Sequence, residues 1–256
     1  MWRKASANEI GYLRKASTML HLSTSAWATG TVLFHRYCAF VSTNKEPHPD
    51  PLPTHISIML CLYLATKVTE EPRKQRDIIN VGYKLAHPDS TFLPISSSTL
   101  SALRVTLTQG ELILMRALGF NLTVDLPHAW IASTLYGMLW WERNGQPPDD
   151  TEMVDVRAKR VAGTAWAVAN AVVERGLVDR EPARLIAAAC IYIAMDNHGE
   201  KLPAKSLDEW ADIWAKTTGR RIEAVRALIE QSVDVPLVIE QFNIQNNRKP
   251  HSLAEK

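Results

Sequence analysis

Apolar residues recur along this chain at three- and four-residue spacing almost from end to end, and no run of strict alternation flanked by turn residues interrupts them. That periodicity predicts an all-α fold. Ser6-x-x-Glu9 reads as a capping box that starts a helix running to about Leu20, and Ser23 or Thr24 starts a second running to about Val41. Thr43–Pro53 carries four prolines and is expected to be a loop. Helices are expected next at Thr54–Thr69, Arg73–Leu85 and Thr99–Leu118, the last stopped by Gly119. A further five are expected at Pro127–Arg143, at Thr151–Arg175 after a loop at Asn144–Asp150, at Glu181–His198 with Asp179 as its cap, from the Ser206-x-x-Glu209 capping box to Thr218, and at Arg220–Val233.

The chain also repeats itself. Ala26-Trp27-Ala28 returns as Ala165-Trp166-Ala167 in the second helix of each set, and Cys61-Leu62-Tyr63-Leu64-Ala65 returns as Cys190-Ile191-Tyr192-Ile193-Ala194 in the third. The spacing from tryptophan to cysteine is ten residues longer in the first half, where the proline-rich loop lies. Two related five-helix domains in tandem are therefore expected, 1–124 and 125–242, with 243–256 as a disordered tail. The aromatic and small-residue clusters read as core.

Composition narrows the class without naming a function. Apolar residues are 46% and charged residues 22% of 256, which fits a globular chain rather than a disordered one. The longest apolar runs are about ten residues, half of what a membrane-spanning helix needs, so no membrane partner is expected. Met1-Trp2-Arg3-Lys4-Ala5 leads straight to Asn8 and Glu9 with no apolar stretch between, so no secretory signal is expected. Cys38, Cys61 and Cys190 form no CxxC and sit in apolar stretches, which predicts buried free thiols in a reducing compartment, the cytoplasm or nucleus. No phosphate loop, GxGxxG, HExxH or GxSxG is present, and the histidines are scattered. No catalytic site, metal, cofactor or small-molecule ligand is expected. The basic clusters at Arg73–Arg76, Arg157–Arg160 and Arg220–Arg221 are short and read as solvated faces, so direct nucleic-acid binding is not expected.

One stretch carries more information. Leu64-Ala65-Thr66-Lys67-Val68-Thr69-Glu70-Glu71-Pro72, followed by Arg76-Asp77-Ile78-Ile79-Asn80-Val81, resembles the cyclin box, whose third helix ends in a Lys-Val/Ile-x-Glu-Glu pattern. Phe34-His35-Arg36-Tyr37 in the second helix and Gly110-Glu111-Leu112-Ile113-Leu114-Met115-Arg116-Ala117-Leu118-Gly119-Phe120-Asn121-Leu122 in the fifth extend the likeness. Cyclins are two tandem five-helix domains, so the resemblance covers nearly the whole chain. The His-Arg-aromatic motif, the Arg-Asp-Ile-Ile-Asn-Val run and the Pro127-His128 junction resemble the transcription-related branch, cyclin Q and cyclin L. Cyclin L carries a long arginine-serine tail and this chain ends after Arg248-Lys249-Pro250, which favours the cyclin Q type. The mitotic substrate-docking motif has no counterpart at Tyr12-Leu13-Arg14-Lys15-Ala16.

The resemblance implies a regulatory subunit that pairs with a cyclin-dependent serine/threonine kinase as a heterodimer, in the nucleus, in transcription by RNA polymerase II or in the cell cycle. In cyclins, a lysine at the end of the third helix and a glutamate of the fifth pair and bond backbone groups beside the kinase's mobile C-helix; here these are Lys67 and Glu111. Val68, Met115, Phe120 and Leu122 match positions near the kinase-facing surface, although apolar residues on such helices are core by default. The position matching Lys67 in the second repeat is Asp196, so the fold does not itself demand a lysine there. A DNA-bound adaptor like transcription factor IIB is the alternative; it would bring paired CxxC motifs and a strongly basic second half, whereas residues 126–256 hold fewer Lys and Arg than Asp and Glu. An unfamiliar all-α enzyme is the third possibility.

Overall fold

The structure, a computed structural model, describes residues 5–43, 52–142 and 156–247. Among them every regular element is a helix: α1 (Ala7–Met19), α2 (Thr24–Thr43), α3 (Thr54–Val68), α4 (Gln75–Ala86), α5 (Ser98–Ala117), α6 (Pro127–Glu142), α7 (Val156–Glu174), α8 (Ala183–Asn197), α9 (Leu207–Ala215), α10 (Gly219–Ser232) and α11 (Val235–Asn247). None is long and apolar enough to cross a membrane. The chain divides into two compact units, Met1–Val124 and Asp125–Lys256. The two proline-containing loops expected at 43–53 and 144–150, and the first turn expected for α7, lie largely outside the described residues.

In the first unit α3 is the axis, packed by α1, α2, α4 and α5. Ser57 through Leu62 are buried, as are Leu64, Ala65 and Thr66, so between its first and last turns this helix has almost no solvent face. Such all-round burial needs close neighbours. Gly30 provides one approach, since a Cβ there would stand 2.9 Å from Leu62 Cδ2, and Gly110 provides another, since a Cβ there would stand 2.7 Å from Leu60 Cδ1. The Ser6 capping box forms with both of its bonds, which fixes where α1 begins. Arg73 is drawn into the fold rather than solvated: its guanidinium donates to the backbone oxygens of Leu20, His21 and Glu71, and α4 starts two residues later at Gln75.

In the second unit α8 holds the central place, packed by α6, α7, α9 and α10, with Ala187, Ala188 and Ala189 fully buried. Its cap differs from expectation. The N-cap is Pro182, not Asp179: the residue before a proline is pushed out of the helical region, so Glu181 cannot extend the helix back toward Asp179. Ser206 accepts from the Glu209 N–H as a cap should, while the Glu209 carboxylate takes the N–H of Lys205. The sixth helix of this unit, α11, was not expected, and Asn243–Asn247, assigned to a disordered tail, form its end; 248–256 lie outside the described residues. Asp234 caps it, with its Oδ1 accepting from Leu237 N–H, and Pro236 sits in its first turn where a proline is tolerated. Val235 and Ile239 are buried, and Phe242 reaches α7 at Gly163, where a Cβ would stand 2.6 Å from the ring.

At the start of α6, His128 is buried, with Nε2 2.9 Å from Asn170 Oδ1 and the ring edge-on to Trp166; its Nδ1 has no partner. Burial lowers its pKa, and the Asn170 bond only partly opposes this. The folded state therefore takes up this proton less readily than the unfolded chain, whose histidine titrates near about 6.5. The His128 contribution is full above that value and declines as pH falls below it. Denaturant unfolding across pH 7.5 to 5.5 should show wild-type stability dropping with acid more steeply than in His128→Gln, and equal slopes would contradict it.

Candidate functional site

After its exposed first residues α3 is buried from Ser57 to Thr66 except at half-buried Tyr63, and Lys67 in the last turn is where a charged side chain returns to solvent, a place where a cation also suits the helix C-terminus. Across from it runs α5, held close by Gly110 and by buried Leu107 and Leu114. Glu111, next in sequence to that glycine, lies at the edge of this packed face. Lys67 Nζ pairs with Glu111 Oε1, 44 positions away, and also sits 4.2 Å from the centroid of the Tyr63 ring one turn back on α3. The two charged side chains are 43% and 17% exposed, so water reaches the lysine freely. An ion pair in that setting contributes about 0 to 1 kcal/mol to the free chain.

Exposed apolar residues adjoin the pair in sequence: Val68 follows Lys67 and Leu112 follows Glu111. Val105 and Ile113 of α5 are exposed as well, and Phe120 beyond the helix end is 63% exposed. Met115 and Leu122 are half-buried. Of the residues singled out from the sequence, the fold thus brings Lys67 and Glu111 into contact, presents Val68 and Phe120 to solvent, and leaves Met115 and Leu122 partly within the packing. Tyr63, Leu112 and Ile113 were not anticipated. The signal for the last two was available, since α5 carries apolar residues on more than one face while only one face can enter the core.

Left-handed backbone at non-glycine residues occurs in this region, as it does at His21 and Lys216 elsewhere. α3 and α5 both end in Schellman motifs, in which Glu71 N–H reaches Thr66 O and Phe120 N–H reaches Met115 O. The left-handed residue of the first is Glu70 (φ 56°), where the second repeat, at the end of α8, uses Gly199. In the second motif Gly119 (φ 60°) takes the required conformation and Phe120 (φ 56°) adopts it as well. A non-glycine residue there costs roughly 1–2 kcal/mol. Glu71, by contrast, is structural, its carboxylate taking the Ser23 N–H and hydroxyl at the start of α2.

The second repeat holds an ion pair at the equivalent place with the charges exchanged. Asp196 of α8 bonds Arg226 of α10 at 2.7 Å, and the guanidinium lies 5.2 Å from the centroid of Tyr192, the counterpart of Tyr63. A cation on the tyrosine joined to an acid on the neighbouring helix is therefore common to both repeats, and the polarity is what differs. Other chemistry is weakly represented. Cys38, Cys61 and Cys190 are buried free thiols, with burial pushing Cys61 well up and Cys190 to about 12, far from a reactive thiolate. Among the described residues no cluster of three His, Cys, Asp or Glu side chains is arranged to hold a metal.

No family model matches the chain. It is similar to Cyclin-L2 of Mus musculus, 31% identical over 249 residues, covering 95% of this chain and 43% of the relative. It is similar to Cyclin-L1 of Homo sapiens at 28% over 248 residues, covering 95% and 40%. The chain thus spans less than half the length of the curated relatives it matches. Among solved structures, one chain of the yeast RNA Pol II CTD kinase CTDK-1 complex superposes with a TM-score of 0.63 at 17% identity, over 97% of this chain and 77% of that one. A chain of the CAK complex from Chaetomium thermophilum bound to ATP-gamma-S gives 0.57 at 15%, over 93% and 65%. These last two establish the fold.

Relief of the strain at the end of α3 is directly measurable. Glu70→Gly should raise the stability of the free chain by about 1 kcal/mol, the left-handed gain exceeding the added freedom of glycine in the unfolded state. Lys67→Met should change it by no more than about 1 kcal/mol. Urea unfolding of both variants checks the pair of values.

Proposed function

The chain belongs to the cyclin family, among its transcription-related members, and from that premise we propose that it is the regulatory subunit of a cyclin-dependent serine/threonine kinase, docking through its first unit, residues 1–124. The observation that carries the reading is the Lys67–Glu111 pair across α3 and α5, seated on Tyr63, with exposed Val68 and Leu112 next to the two charged residues in sequence. A charged pair beside exposed apolar residues suits a surface that a partner desolvates. Val68, Met115, Phe120 and Leu122 complete the proposed docking face.

The mechanism is a shift of population in the partner. The subunit binds the kinase form whose C-helix is rotated inward, so that the C-helix glutamate pairs with the ATP-contacting lysine and the activation segment is drawn clear. Phosphoryl transfer belongs to the kinase, and this chain contributes no catalytic group. On docking, Lys67 and Glu111 turn their unused hydrogen-bonding capacity to backbone groups beside the C-helix. Their attraction strengthens as water leaves, and truncating one member of the desolvated pair costs roughly 2–5 kcal/mol. The names of the relatives and of the solved complexes support a nuclear role in transcription by RNA polymerase II.

The test is co-purification. Tagged wild-type chain should recover one cyclin-dependent kinase from cells that express it, identified by mass spectrometry. The Lys67→Glu, Glu111→Lys double variant, shown by circular dichroism to keep its helices, should lose it. Recovery of the kinase by the folded variant removes the site assignment, and recovery of promoter-bound factors without a kinase removes the function.

A further inference from the structure

The His-Arg-aromatic motif of α2 puts Arg36 far along the chain from the proposed docking face, yet Arg36 Nη1 donates to the carbonyl oxygen of Thr123 at 2.9 Å. Thr123 lies in the segment that follows α5 and contains Phe120 and Leu122. That segment has no helical ladder to hold it, and its conformation is fixed bond by bond. Gly119 N–H donates to Arg116 O at 3.0 Å, Phe120 N–H to Met115 O at 2.8 Å and Asn121 N–H to Leu118 O at 3.1 Å. Thr123 N–H donates back to Asn121 Oδ1 at 3.2 Å, a local turn of the kind asparagine favours. The Arg36 bond closes the series and is the one among these that comes from outside the segment and α5.

What this arrangement presents is an exposed phenylalanine in a conformation that phenylalanine avoids. The Schellman motif needs one left-handed residue, and Gly119 already supplies it. Phe120 is left-handed too, and with 63% of its surface in water its ring gains little from burial in the free chain. Strained, exposed and firmly held is the condition of a side chain arranged in advance for a partner, because the ordering cost is met before binding. We propose that Arg36 is a positioning residue for the docking face: by holding the Thr123 carbonyl, its guanidinium keeps Gly119–Thr123 in the conformation that offers Phe120 to the kinase. The proposal rests on the cyclin–kinase reading for its partner, while the clamp itself is a property of the free chain.

Two measurements separate these. In the full chain alone, hydrogen exchange of the backbone amides of residues 119–124 should quicken about tenfold in Arg36→Met, with the amides of α3 unchanged. Affinity for the kinase recovered by the co-purification described above should fall about tenfold in Arg36→Met, and Arg36→Lys, which keeps a donor, should restore most of it. In a Phe120→Ala background Arg36→Met should cost nothing further, since the residue acts through that ring. Unchanged exchange at 119–124, or an equal loss of affinity with and without the Phe120 ring, overturns the proposal. If exchange quickens but Phe120→Ala leaves kinase affinity intact, the presenting role is overturned, while the kinase reading still stands or falls on Lys67 and Glu111.

Discussion

α5 lies so close to α3 at residue 110 that a Cβ there would stand 2.7 Å from Leu60 Cδ1 and force that side chain to move. Leu60 Cδ1 occupies the space a Cβ would need, and on either side of that contact Leu107 and Leu114 are buried. This approach determines where Glu111 stands, and therefore whether Lys67 has a partner at all. The energies rank the causes in the same order. Burying a leucine side chain is worth about 1.5–3 kcal/mol, whereas an exposed ion pair is worth about 0 to 1. The pair does not hold the helices together; the packed helices hold the pair in place.

Comparison of the two repeats separates what the architecture requires from what it merely permits. Both keep a central helix buried on all sides, a tyrosine one turn before its end, and a cation seated on that ring and bonded to an acid on another helix. These belong to the fold. The position 67 lysine becomes Asp196, and the left-handed Glu70 becomes Gly199, the residue that suits the conformation. The first repeat thus departs from the structurally easier choice close to where its exposed apolar residues gather. The second unit has a left-handed non-glycine residue of its own at Lys216, so what sets positions 67 and 70 apart is the residue choice at matching places in the two repeats.

Helix positions were legible in the sequence wherever a cap or a glycine announced them, as at Ser6, Ser206 and Gly119. They were less legible where proline intervened: Asp179 looked like a cap, but Pro182 set the start of α8. α11 escaped because a proline near its start and a polar end hid the spacing of Val235, Ile239 and Phe242, which becomes meaningful only when α7 is there to receive it. The site was legible in part. Lys67 and Glu111 came from a family pattern, since 44 intervening residues give no local clue to contact. The exposure of Leu112 and Ile113 was only partly legible: apolar residues on more than one face of α5 signal that some of them meet solvent, but which ones is fixed by the neighbouring helices.

Exposed apolar surface also matters for the proposed activation. Moving a kinase from 1:99 to 99:1 in favour of its active form takes about 5.5 kcal/mol of differential binding, beyond what one ion pair supplies even when desolvated. Covering the parts of Val68, Leu112, Ile113 and Phe120 that are still exposed adds roughly 3–5 kcal/mol in all, at about 1.5–3 kcal/mol per wholly exposed side chain and before the cost of ordering and association, so apolar contact and the ion pair have to act together. Apolar contact alone would favour any complementary surface. A fixed pair of opposite charges on the same face penalises partners that leave either charge unmatched. On the proposed reading both therefore supply free energy, and Lys67 with Glu111 also decides which surface receives it.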